Sequence, residues 1–273
     1  MPEPHPTVVD IGLNLTHKSF QRDGDEVVQR ALGVGVRQMI LTGTTLSGSR
    51  EAIELARRYP EILFATVGIH PHHAAEITSD DYLQLKELAT EPQVVAWGEC
   101  GLDFYRHFSP VDQQEKAFRR QLEIASELGL PVFLHQRDAH DRFRSILGES
   151  IDQLADAVVH CFTDSREAME DYLAMGCYIG ITGWVCDERR GESLRQLVPL
   201  IPSDRLLIET DAPYLLPRDL RPLPKDRRNE PCHLPHVGKT VAALREVPYR
   251  VLAAETTANA SRVFRLPEAG NGN

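Results

Sequence analysis

Eight short apolar runs, each parted from the next by a segment of helical periodicity, restrict this chain more than any other feature of it. The runs are VVDIGL near Val8, MILTG from Met39, FATVGIH from Phe64, VVAWGE from Val94, PVFLH from Pro131, AVVHCF from Ala157, YIGITGW from Tyr178 and LLIETDAPYLL from Leu206. Strands apolar on both faces and rich in Val, Ile and Leu suit a parallel sheet covered by its own crossover helices. Eight such units predict an α/β fold that closes as a single-domain (β/α)8 TIM barrel. The 273 residues fit one barrel domain, expected over 7–266, with 1–6 and 267–273 as disordered ends.

The helices carry their own punctuation. Ser109 is expected to cap a helix with Pro110 in its first turn and Asp112 three residues after the cap, and Ala117, Phe118, Leu122, Ala125 and Leu128 mark its buried face. Gly129 and Pro131 then stop it. A second helix is expected from Arg166 to Met175, closed by Gly176.

Composition excludes several classes of function. Hydrophobic residues make up 42% and charged residues 26%, which excludes disorder and fibre. No apolar run reaches the ~20 residues of a membrane helix, and the opening MPEPHP lacks the basic and apolar character of an export signal, so no membrane and a cytoplasmic location are expected. The five cysteines are spread along the chain without a CxxC pair, which disfavours a disulfide framework or a cysteine-rich zinc site. A formal net charge of −10 repels polyanions at long range, so tight duplex binding through counterion release is not expected. An enzyme that meets phosphate locally remains, expected as a monomer with no obligate protein partner.

Barrel enzymes place their chemistry at the carboxyl ends of the strands, and there the unusual polar residues of this chain fall. Glu99 ends the fourth run, His135 the fifth, His160 the sixth and Asp211 the eighth. Two imidazoles and two carboxylates on one rim match the ligand set of divalent-metal hydrolases. Taken alone, each histidine is more simply a packed, hydrogen-bonded residue. Neighbouring strand ends lie only ~5 Å apart, however, so His135 and His160 can reach one ion. Glu99 would otherwise cap a helix or pair with a cation, but Gly98 and Gly101 around it suggest backbone kept close to something bound. Asp211, before Ala212 and Pro213, also suits a turn.

The third run ends in GIHPHH, bringing His70, His72 and His73 toward the same rim. His70 is the candidate for phosphate contact or proton transfer, and His72 for substrate contact. Arg137, two residues past His135, is expected to face phosphate, with an ion pair to Asp138 or Asp141 as the plainer alternative. The loop PRDLRPLPKDRRNEPCHLP gathers Arg218, Arg221, Lys225, Arg227 and Arg228 in an acidic protein. It reads as a strap for a nucleic-acid backbone, with Arg228 as a substrate contact, or as a solvated loop paired with Asp219, Asp226 and Glu230.

Read in order, GIHPHH, GECGLDF, PVFLHQRDAH, VVHCFT, YIGITGW and LLIETDAPYLLPRD resemble the TatD family of metal-dependent deoxyribonucleases, from Val8 to about Phe264. The resemblance implies a barrel of the metal-dependent hydrolase type that cleaves phosphodiester bonds. It implies Glu99, His135 and His160 as metal ligands, and Asp211 as a ligand or general base. Related barrels open with Asp-x-His-x-His; here Asp10 is followed by Gly12 and Asn14. That departure resembles family members that act as 3′-5′ exonucleases on single-stranded DNA and RNA with Mg2+. It leaves a second position of oxygen ligands from Asp211, Glu99 and the Asn14 carbonyl, which suits Mg2+ better than zinc, although zinc or manganese can accompany a purified sample. A role in DNA repair or degradation is implied. Asn14 is also a candidate substrate contact. The alternatives are a barrel hydrolase of an ester or amide, such as a D-aminoacyl-tRNA deacylase, and a non-catalytic nucleic-acid-binding barrel.

Overall fold

The structure, a computed structural model, describes residues 5–269. The chain alternates strand and helix: β1 Val8–Leu13, α1 Gly24–Gly33, β2 Val36–Leu41, α2 Leu46–Arg58, β3 Leu63–Val67, α3 Ser79–Leu88, β4 Val94–Asp103, α4 Val111–Leu128, β5 Val132–Arg137, α5 His140–Gly148, β6 Ala157–Val159, α6 Arg166–Ala174, β7 Tyr178–Ile181, α7 Glu192–Leu197, β8 Leu206–Ile208, α8 Leu234–Leu244 and α9 Tyr249–Phe264. The strands pair in parallel in chain order, β1 through β8. A bridge between Leu13 and Ala212 then brings the last strand back to the first. Asn14 N donates to Ala212 O and Asp211 N to Gly12 O, both at 2.8 Å, at this seam. The expected eight-unit barrel is the observed one.

Two apolar layers hold it. Outward-facing residues such as Trp97 pack under the helices with Phe118, Leu122 and Phe143. A second cluster of Val9, Ile11, Ile40, Phe64, Ala96, Phe133, Val158, Tyr178 and Leu207 lines the inside, closed from below by Phe264 of α9. Burying an aliphatic or aromatic side chain contributes about 1.5–3 kcal/mol, so these layers fix which face of each strand points inward. That alternation sets the height of the functional side chains.

α4 ends as expected, with Gly129 in the left-handed region at φ 64°. Its start differs. Pro110 occupies the cap position without a side-chain hydrogen bond, while Ser109 Oγ donates to His72 O at 2.9 Å and accepts from Ala75 N at 3.1 Å. Ser109 is therefore spent on shaping the histidine loop after β3. α6 begins with the Ser165 cap and ends before Gly176, at φ 83°. The expected disordered ends fall mostly on 1–4 and 270–273, outside the described residues; at the edge, the Pro267 carbonyl accepts from Gln38 Nε2 at 3.0 Å. No helix among the described residues is long and apolar enough to cross a membrane.

Candidate metal centre

The two-residue period of the strands raises one polar side chain above each apolar one on the barrel floor. Phe133 is followed by His135, Val158 by His160 and Leu207 by Glu209. The Phe133 ring lies 4.5 Å, centroid to centroid, from that of His160 and forms a shelf beneath it. Above this floor opens a pocket of about 370 Å³, lined by Asn14, Thr42, His70, Glu99, His160 and Asp211 among others.

Three imidazoles converge on one oxygen. Glu99 Oε1 lies 2.7 Å from His135 Nδ1, 2.8 Å from His160 Nε2 and 3.3 Å from His70 Nε2. His70, Glu99 and His135 each offer a ligand atom within 4.8 Å of the others, among the described residues. The loop after β3 thus carries His70 into the nitrogen cluster itself. Gly98 and Gly101 have a different purpose from the one their positions suggest. A Cβ on Gly101 would fall 1.9 Å from His135 O and one on Gly98 2.2 Å from Phe133 O, so β4 is pressed against β5 rather than a ligand.

Glu209 completes the set and escaped sequence reading. It is fully buried, with Oε2 3.3 Å from His160 Nδ1 and Oε1 accepting from Cys161 N at 2.5 Å. A Cβ at Gly12 would meet Glu209 Oε2 at 2.2 Å, so the glycine leaves room for this carboxylate, one residue past the end of β8. The signal was present: counting by two from Leu207 points Glu209 inward. Asp103 was missed as well; His72 Nε2 donates to its Oδ2 at 2.7 Å, and His135 Nε2 lies 3.5 Å from the same oxygen.

The electrostatics follow from burial and company. Burial opposes the charge on Glu99, but His160 and His70 and the hydrogen bonds from His135 and His160 outweigh it and hold the carboxyl well below its ordinary range. Burial works against protonation of His160, yet Glu99 and Glu209 carry it well above the usual value. His70 is pushed down to about 4 by burial despite the pull of Glu99, which keeps it neutral; its Nδ1 accepts from His72 N at 3.1 Å, which leaves the ring proton on Nε2 facing Glu99. Asp211 is pushed up to about 7, first by burial and then by the charges of Glu99 and Glu209, against the opposing His160 and Asn14. Asn14 Nδ2 donates to Asp211 Oδ1 at 3.0 Å.

The donor set fits a divalent cation. His135 Nε2 is buried and makes no well-formed hydrogen bond, with Asp103 Oδ2 at 3.5 Å as its polar neighbour, and mixed imidazole and carboxylate donors are those that borderline and hard divalent ions take. His72 lines the pocket with its ring edge-on to the exposed Phe108 at 4.7 Å. In the same lining, His17 meets Tyr214 edge-on at 5.7 Å, a pairing that the sequence reading lacked.

Two residues expected to contact phosphate lie outside the lining of this pocket. Arg137 stands outside the pocket lining, donating to Thr163 Oγ1 at 3.0 Å and stacked over the Tyr105 ring at 5.2 Å, with Asp138 3.6 Å away. Arg228 is mostly buried over the Phe20 ring, where its Nη2 donates to Asp23 Oδ2 and Glu230 Oε1, both at 2.6 Å. Of the two meanings of the basic loop, Arg228 follows the paired one: its charge is already taken by two carboxylates.

A family model described as TatD related DNase matches residues 9–265. The curated 3′-5′ ssDNA/RNA exonuclease TatD of Erwinia tasmaniensis is 55% identical over 257 residues, covering 94% of this chain and 99% of its own length. The protein of the same name from Salmonella typhimurium is 52% identical over 257 residues, 94% of this chain and 98% of its own. The crystal structure of the TatD homologue YjjV from Escherichia coli superposes with a TM-score of 0.87 at 27% identity, covering 95% of this chain and 98% of that one. With the imidazole and carboxylate cluster in the pocket above the apolar floor, these findings make the chain a member of the TatD related DNase family.

Proposed function

We propose that the chain is a metal-dependent 3′-5′ exonuclease of single-stranded DNA and RNA. The observation that carries this reading is the meeting of His70, His135 and His160 on Glu99 Oε1, with Asp211 on the same pocket wall. The name shared by the curated relatives supports the direction and the strand preference.

Glu99, His135, His160 and Asp211 would hold the cation, with His70 as a further nitrogen. When bound, a divalent ion lowers the pKa of water and draws off the charge that builds on phosphoryl oxygens. The oxygen donors at Asp211 and Asn14 favour Mg2+ as the working ion, while the nitrogen-rich side accepts Zn2+ or Mn2+. Asp211, raised toward neutrality by burial and like charge, accepts the proton of the attacking water at its carboxylate. Glu209 fixes the ring of His160 through Nδ1, so that Nε2 stays aimed into the pocket.

Asn14 and His72 contact the terminal nucleotide, and Arg137 holds the strand further along the rim. Phe108 and Tyr214, both exposed, flank the opening at positions where bases stack. An unpaired end enters such a narrow opening without melting a duplex. All five cysteines are free thiols, which supports action in the reducing cytoplasm, and the chain is proposed as a monomer.

Purified protein incubated with Mg2+ and a 5′-labelled single strand is expected to give a ladder shortening from the 3′ end. Chelator and Glu99→Ala are each expected to abolish it. A Glu99→Ala protein as active as the parent overturns the assignment.

A further inference from the structure

A second group of metal-ligating side chains lies away from the Glu99 pocket. Cys186, Asp219 and His236 each present a ligand atom within 4.8 Å of the other two. They come from three separate places: the 3-10 turn Gly183–Cys186 after β7, the arginine-rich loop after β8, and the first turn of α8. His236 Nε2 and Asp219 Oδ1 are 2.7 Å apart, and Cys186 Sγ lies 3.4 Å from Thr240 Oγ1, one turn further along α8. Cys186 is fully buried, whereas the Asp219 and His236 side chains are 30% and 31% exposed. The sulfur thus forms the closed end of the cluster and the other two form its mouth.

We propose that Cys186, Asp219 and His236 form a second metal site, which takes a borderline-soft divalent cation such as Zn2+ and ties the arginine-rich loop to α8. The donor chemistry selects the ion. A thiolate with an imidazole and a carboxylate suits Zn2+ and is a poor set for Mg2+, which demands oxygen. The charge balances, since thiolate and carboxylate together neutralise a dication. Binding replaces the Cys186 S–H proton, released to solvent, and moves the His236 ring proton from Nε2 to Nδ1, so that the His236–Asp219 hydrogen bond gives way to two metal bonds. The adjoining cleft, lined by Arg195, Lys239 and Thr240, leaves the fourth position to solvent. The nearby cations are engaged elsewhere: Arg195 Nη1 donates to Val185 O at 3.2 Å, and Lys239 Nζ lies over the Tyr249 ring at 5.8 Å.

The site has a mechanical consequence. Arg218, next to Asp219, is 3.8 Å from Asp187, next to Cys186. A metal between Cys186 and Asp219 therefore fastens the start of the loop that carries Arg218 and Arg221, beyond Tyr214 on the pocket wall.

Metal-stripped full-length protein titrated with Co2+ tests this without reference to nuclease activity. A thiolate-to-cobalt charge-transfer band in the near ultraviolet is expected, bleached by Zn2+ once two equivalents have been added, enough to fill both centres. It should vanish in Cys186→Ser and fall at least tenfold in Co2+ affinity in His236→Asn. It should persist in Glu99→Gln and in Cys161→Ser, which removes the thiol of the catalytic pocket. No band in the parent, a full band in Cys186→Ser or His236→Asn, or loss of the band in Cys161→Ser overturns the proposal. Should Cys186→Ser fail to fold by circular dichroism, tryptic cleavage after Arg218 decides: Zn2+ is expected to slow it several-fold in the parent and not in His236→Asn. Equal rates with and without Zn2+ in the parent overturn the site.

Discussion

Glu209 grips His160 from behind, its Oε2 3.3 Å from Nδ1, while the Nε2 of the same ring faces Glu99 Oε1 at 2.8 Å. A carboxylate on the far nitrogen of a metal-binding histidine sets the tautomer and strengthens the ligand, and losing it commonly costs 10–100-fold in metal affinity or activity. Glu209→Gln keeps the volume and removes the charge. Its exonuclease rate is expected to fall by roughly 10–100-fold with an unchanged far-ultraviolet circular dichroism spectrum. Rates and metal affinity equal to those of the parent would detach Glu209 from the site.

Gly12 is a place where one methyl group has a defined cost. The Cβ of Gly12→Ala would fall 2.2 Å from Glu209 Oε2 and 3.2 Å from the Phe133 ring. Glu209 has no free direction in which to retreat, being fully buried and bound by Cys161 N. Overpacking of this kind costs about 1–3 kcal/mol. Gly12→Ala should therefore melt lower and share the activity defect of Glu209→Gln, as thermal melts and nuclease assays on the same preparation would show.

Metal and stability are linked, because an ion that binds only the folded centre stabilises it by RT ln(1 + [L]/Kd), about 2.7 kcal/mol at a hundredfold excess over Kd. Melting should rise with Mn2+ or Mg2+ and drop on chelation. In Glu99→Gln the rise is expected to shrink to a small fraction of the parental value. An identical metal response in both proteins would place the stabilising ion elsewhere.

Asp23 carries the clearest acid dependence outside the metal centre. Hydrogen bonds from Arg228 are the largest influence, and with Arg30 they outweigh partial burial and hold its carboxyl down at about 2, against an ordinary 3.8. A carboxyl depressed on folding stabilises the protein above its unfolded value, and the contribution fades as pH falls through the folded one. Arg228→Ala should lower stability at neutral pH by ~2 kcal/mol, roughly 4–8 °C in Tm for a domain of this class. The gap from the parent should stay constant down to about pH 4 and narrow toward pH 2. A gap that widens on acidification would contradict the assignment.

The sequence by itself determined the architecture and much of the rim. Its apolar runs have only one common use, a buried parallel sheet, and the placing of Glu99, His135, His160 and Asp211 toward one mouth follows from chain order, although β4 runs on past Glu99 to Asp103. Periodicity is local, so it survives without the fold. What the sequence left undecided depends on contacts between distant residues. Glu209 stands in an apolar strand as one more polar residue until β8 is set beside β1, where Gly12 opens the space for it. Arg228 looks like a phosphate ligand in a list of residues and becomes half of an ion pair once Asp23, more than two hundred positions away, is brought to 2.6 Å. Ser109 has the chemistry of a cap, yet the fold spends it on the backbone of His72 and Ala75. Residue type and spacing say what a side chain is able to do; which partner it reaches is fixed only when the barrel closes.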